Sequence, residues 1–95
     1  MGLSNAETII CHAIESARDE LIETADRIHK FSEIGYQEHK SSQLLASRLE
    51  SHGLQVKRHV ADLETAFEAS LEGGRPGPRI GILAEYDALP GLGHA

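Results

Sequence analysis

Ninety-five residues, 40% of them apolar and only 4% aromatic with no tryptophan, are enough for one modest domain whose core must come from Leu, Ile, Val and Ala. A net charge of −6 and a pI near 5.4 argue against a nucleic-acid backbone or an anionic membrane as the main partner. No apolar run reaches the roughly 18 residues of a membrane span, no basic-then-apolar leader opens the chain, and the single Cys11 cannot form an internal disulfide, so cytoplasmic residence is expected.

In chain order, Ser4-Asn-Ala-Glu7 has capping-box spacing, in which Ser4 caps the third helical amide and Glu7 reaches back. Ile10, Ile14, Ala17, Leu21, Ala25 and Ile28 then recur at steps of three and four. The spacing predicts one long helix over about 5–31 with a single buried stripe. Its other face carries Glu15, Asp19, Glu20, Glu23 and Asp26, most simply a solvated face. Gly35 supplies the left-handed residue that ends or redirects this helix.

A second helix is predicted from about Glu38 to His52, burying Leu44, Leu45 and Leu49, with Gly53 and Leu54 placed for a Schellman ending. The period then changes to two. Val56 and Val60 alternate with Lys57 and His59, and Phe67, Ala69 and Leu71 with Glu68, Ser70 and Glu72, which predicts two strands with a wet face each. Gly73-Gly-Arg-Pro-Gly-Pro78 is a turn signal. It leads to the apolar run Ile80–Ala84, expected as a third strand over 79–84, buried on both faces and joined as a hairpin. The expected order is helix, helix, strand, strand, strand, an α/β fold.

Candidate chemistry gathers beyond that third strand. Glu85 and Asp87 stand two apart at its end and share a side if the strand geometry persists. Carboxylates there ligate metals, orient a ligating imidazole or act as acid/base groups; the competing reading is an ordinary solvated strand exit. Elsewhere His12 and Glu15 have i, i+3 spacing on a charged face, His29 and Glu33 sit at a helix end, and His39, His52 and His59 read as isolated surface residues. No pair has closed zinc-site spacing. Cys11 and His12 point about 100° apart on a helix and do not make a nucleophile pair.

Three stretches in order, Ile28-His-Lys-Phe-Ser-Glu-Ile-Gly-Tyr-Gln-Glu38, His52-Gly-Leu54 and Leu83-Ala-Glu-Tyr-Asp-Ala-Leu-Pro-Gly-Leu-Gly-His-Ala95, resemble the N-terminal part of the metal-dependent amidohydrolases and metallopeptidases related to aminoacylases, hippurate hydrolases and aminobenzoyl-glutamate hydrolases. Ser32 departs from the pattern, which usually has proline there. The resemblance implies that residues 1–95 are the N-terminal portion of a zinc-exopeptidase-like catalytic domain about four times longer, with a mixed sheet between helices and an inserted lid. It further implies hydrolysis of the amide bond of an N-acyl amino acid, aminobenzoyl-glutamate-like compound or dipeptide, two divalent ions (zinc or manganese), and a full-length protein that is often a homo-oligomer. Sister branches place a metal-binding His-x-Asp where this chain has Glu85-Tyr86-Asp87, so Asp87 matches the aspartate that orients a ligand and Glu85 replaces the histidine. His94 belongs to the loop leading to a Cys-Gly-His expected directly after Ala95. On this reading the 95 residues alone bind no metal and are inactive. The alternative is a stand-alone module that self-associates through the first helix and an open sheet edge.

Overall fold

A computed structural model describes Gly2 and residues 4–91, and the order of elements is three helices followed by a two-stranded antiparallel sheet. Helix α1 spans Asn5–Ser16, α2 Arg18–Phe31 and α3 His39–Ser51; strands β1 (Gln55–Arg58) and β2 (Phe67–Ser70) are joined through a single 3₁₀ turn, Val60–Asp62. The α/β class holds. The count of elements does not.

The capping box forms as the spacing requires: Glu7 N–H donates to Ser4 Oγ at 3.2 Å and Ser4 N–H to Glu7 Oε1 at 3.4 Å. The expected long helix, however, is kinked into α1 and α2 at Ala17, whose φ −93°, ψ 3° leave helical geometry. Neither glycine nor proline causes this. The Ala17 N–H is shared between the Ala13 and Ile14 carbonyls, both at 3.1 Å, while Leu21 N–H still reaches the Ala17 carbonyl at 2.9 Å. The apolar stripe is also less covered than its period suggests, with Ile10, Ile14 and Leu21 all more than half exposed. A stripe is buried only where a second element lies on it, and α3 packs along α2 while leaving α1 open.

Between α2 and α3 the left-handed residue is Ser32 (φ 49°, ψ 45°), with Tyr36 at φ 68°; Gly35 does not take that conformation. Ser32 closes α2 by donating its N–H to the Ile28 carbonyl at 3.3 Å and its hydroxyl to the His29 carbonyl at 2.8 Å. Short polar side chains tolerate this region through such local hydrogen bonds. Proline, fixed near φ −65°, could not stand at Ser32 in this turn.

Helix α3 ends as its sequence dictates. Gly53 at φ 90° donates to the Glu50 carbonyl at 3.0 Å and Leu54 to the Leu49 carbonyl at 3.1 Å, the paired bonds of a Schellman motif. Charge ties α3 to α2: Arg48 reaches Glu23 at 3.1 Å and Glu20 at 3.7 Å, and His52 Nε2 lies 2.6 Å from Glu20. His52 is therefore an interhelical partner and not an isolated surface residue, and Glu20 and Glu23 are more than a solvated face. A bidentate pair, Arg58 to Glu50 at 2.8 and 3.1 Å, fastens β1 to α3. The two strands register Val56 against Ala69, and both side chains turn toward the half-buried face, as alternation requires.

The enclosed centre is small-residue packing. Ala46 is the buried apolar side chain among the described residues, alongside Ser41, Thr65 and Thr24, while Leu44, Leu45 and Leu49 are half-buried. The expected third strand is absent: residues 76–84 carry no regular structure, and Ile80, Ile82 and Leu83 are 83, 89 and 100% exposed. A strand with two apolar faces is stable only with neighbours on both edges and layers on both faces. Nothing among the described residues supplies them. Nor is any described helix long and apolar enough to cross a membrane.

Candidate functional site

Beyond β2 the chain runs exposed from Leu71 to Glu85, and only Tyr86 and Ala88 are then drawn partly out of solvent before it is exposed again at Leu89. The cause is a set of local contacts with the α2–α3 turn and with the loop before β2. Ala88 N–H donates to the Glu33 carbonyl at 2.7 Å, and Ile34 pairs with Ala88 in an isolated parallel bridge. The Tyr86 hydroxyl donates to the Thr65 carbonyl, and its ring stacks on Phe67 with centroids 6.1 Å apart and planes at 29°. The buried Thr65 donates in turn to Glu38 Oε1 at 3.2 Å. Two stretches that carry the family resemblance, 33–38 and 86–88, thus meet in space.

Glu33 is the hinge of this junction. Its carboxylate accepts the N–H of Lys40 at 2.9 Å and of Ser41 at 2.7 Å, serving as the cap of α3 from six residues upstream of its first residue. Helix N-termini leave such donors without partners and favour negative charge. Partial burial works against the Glu33 charge, but these two backbone donors lead a set of interactions, the Lys40 charge among them, that outweighs it and holds the carboxyl below its ordinary range. Burial first, and then the negative charges of Glu38 and Glu33, push the Tyr86 phenol above its ordinary value. An un-ionised phenol keeps the proton with which it holds Thr65.

Asp87 lies between the two anchors and is itself exposed, as is Glu85. Its Oδ2 stands 4.0 Å from the point a Cβ would occupy on Gly35, so the carboxylate lies over the Glu33-Ile34-Gly35 turn. Asp87 also lines an open groove of about 250 Å³ with Ile28, His29, Ser32, Ala88 and Leu89. Sequence reasoning paired His29 with Glu33 and missed that His29 and Asp87 border one groove, because the two are far apart in the chain. A second groove of about 300 Å³ runs between α3 and the hairpin, with His39 and His59 on its rim and Phe67 on its wall. His12 and Cys11 are exposed on α1. His94 lies outside the described residues.

Divalent ions need several donors converging on one point. Among the described residues no three His, Cys, Asp or Glu side chains are so arranged, and Glu85 and Asp87 face solvent from an irregular segment. These residues do not by themselves make a site that fits a metal ion.

No family model matches the chain. Individual proteins do. Over 80 residues it is 44% identical to one of the subunits of p-aminobenzoyl-glutamate hydrolase from Escherichia coli, a match covering 84% of this chain and 16% of that protein. It is 32% identical over 77 residues to thermostable carboxypeptidase 1 of Saccharolobus solfataricus, covering 81% and 19%. It is 30% identical over 90 residues to the Bacillus subtilis protein named as amidohydrolase YhaA, covering 95% and 22%. The chain spans about a fifth of the length of these curated relatives.

Proposed function

Because the chain belongs by sequence with the amidohydrolases and carboxypeptidases it matches, we propose that it is the leading portion of a metal-dependent enzyme hydrolysing an amide bond. The substrate class is an N-acyl amino acid, an aminobenzoyl-glutamate-like compound or a dipeptide. The observation that carries this reading is the 44% identity to a component of p-aminobenzoyl-glutamate hydrolase across 84% of the chain. Its work is done in the cytoplasm, by a catalytic domain in which residues 1–95 join a mixed sheet with helices on both sides and a lid domain follows.

In this proposal Asp87 is a supporting carboxylate. It would accept the N–H of a metal-ligating imidazole from another part of the protein, fixing that ring's tautomer and direction. Two divalent ions, zinc or manganese, would when bound lower the pKa of a water and polarise the scissile carbonyl. The other donors and the general base come from residues beyond these, so the 95 residues alone neither hold the ions nor catalyse. The test is to express a longer protein carrying this segment, strip it with chelator, restore zinc or manganese, and follow p-aminobenzoyl-glutamate, N-benzoyl amino acids and dipeptides. Metal-dependent cleavage of any of these is expected; inertness toward all three in the metal-loaded protein overturns the proposal.

A second reading rests on the exposed apolar side chains Ile9, Ile10, Ile14, Leu21 and Ile22 of the first two helices. In it the 95 residues form a self-associating module. Light scattering separates the two: a defined dimer of the isolated chain favours the module, and a monomer counts against it.

A further inference from the structure

We propose that Glu33, Gly35 and Tyr86 form one positioning unit that sets the direction of the Asp87 carboxylate, an inference that rests on the supporting role given to Asp87 above. Its basis is selective burial. From Leu71 to Gly91 every residue is exposed except Tyr86 and Ala88, the two neighbours of Asp87. Tyr86 is fixed to the loop before β2 through Thr65 and Phe67. Ala88 is fixed to the α2–α3 turn through the Glu33 carbonyl and the bridge to Ile34. Held between these two anchors, Asp87 places its Oδ2 4.0 Å from the point a Cβ would occupy on Gly35.

Glu33 makes this arrangement stiff. Its carbonyl holds Ala88 while its carboxylate is held by the first turn of α3. The orientation of α3 is thereby passed through one residue to the segment bearing Asp87. Gly35 contributes space. A single methyl there would meet Oδ2 at 4.0 Å, an ordinary contact, whereas a branched side chain would reach further and displace the carboxylate. The Glu33-Ile34-Gly35 element therefore acts on Asp87 without sharing its chemistry.

The test uses the 95-residue chain and the longer enzyme in parallel. In the chain, NMR is expected to show Ala88 N–H protected from exchange and Asp87 held in one χ1 rotamer. Tyr86→Phe should speed Ala88 exchange at least tenfold and average the Asp87 rotamer while leaving Val56 protection in the sheet unchanged. Gly35→Val should shift the Asp87 rotamer with Ala88 still protected, and Gly35→Ala should do neither. In the enzyme the same Gly35→Val change should lower kcat about tenfold with KM within twofold, the size expected for a group that orients a ligand. An Asp87 rotamer that is averaged in the wild type, or indifferent to both Tyr86→Phe and Gly35→Val, overturns the proposal. If the longer protein cleaves no amide, the functional assignment fails, but the NMR result still decides whether the unit positions Asp87.

Discussion

Replacing Glu33 by alanine removes both carboxylate acceptors from the first turn of α3, the bonds from Lys40 and Ser41 at 2.9 and 2.7 Å. Loss of a helix cap costs about 0.5–2 kcal/mol, and a hydrogen bond to a charged group contributes about 1.5–3 kcal/mol net of its exchange with water. Glu33 is only partly buried, so in the variant water reaches the freed N–H groups, and a loss of about 1–2 kcal/mol, within the capping range, is expected. In a chain of this size each kcal/mol shifts Tm by roughly 4–8 °C. Glu33→Ala should therefore melt roughly 5–15 °C lower, by circular dichroism at pH 7. Glu33→Gln keeps one acceptor and should fall between the two. The sign with pH is fixed by the lowered folded pKa of Glu33. Its stabilisation is present above the unfolded value and lost as pH falls through the folded one, so the gap to the variant narrows as pH drops below the ordinary 4.5. Melting of Glu33→Ala within 1 °C of wild type at pH 7 would refute the capping role.

Gly53 at φ 90° makes Gly53→Ala costly by about 1–2 kcal/mol, read as a lower urea midpoint at unchanged slope; an unchanged midpoint would show that the Schellman ending frays. Ser32→Pro should destabilise by more than about 1 kcal/mol, because φ 49° is closed to proline and the bond from Ser32 N–H to the Ile28 carbonyl is lost. Equal melting of the two proteins would mean that the turn rearranges freely. Glu20 and Glu50 are held below the ordinary 4.5 chiefly by hydrogen bonds from His52 and Arg58, respectively. Both contribute stability above that value and lose it as pH falls through their folded pKa values. Urea midpoints should thus decline from pH 5 to pH 3, less steeply in 1 M salt, where screening shortens to about 3 Å. A flat profile would contradict the pairing.

Local rules carried well where both partners lie within a few residues. Ser4 with Glu7, and Gly53 with Leu54, have their partners within five residues, and the spacing alone names the bonds. The two strands are similarly legible, since Val56, Phe67 and Ala69 alternate with polar neighbours and the alternation sets the face, but the hairpin forms between them and not, as expected, between the second strand and 79–84. Periodicity fails where burial depends on what lies against a surface. Ile10, Ile14 and Leu21 keep helical spacing yet remain exposed, and Ile80–Ala84 has the composition of a buried strand without a sheet to enter. Long-range electrostatics were invisible as well. Glu20 meets His52 across 32 positions, and Glu33 caps a helix that begins only at His39. At the candidate site the motif pointed to Asp87, but its neighbours Tyr86 and Ala88, which anchor the segment, carry no sequence signal of that role. Ser32 shows a further limit: the departure from proline was visible, while the left-handed turn it permits was not.

Hydrolysis by the longer protein bearing this segment, compared between wild type and Asp87→Asn, tests the account most directly. With zinc or manganese restored, the wild type should release glutamate from p-aminobenzoyl-glutamate or cleave a related amide, and Asp87→Asn should lose about 10–100-fold in kcat. Full activity in Asp87→Asn, or no metal-dependent amide cleavage by the wild type, would contradict it.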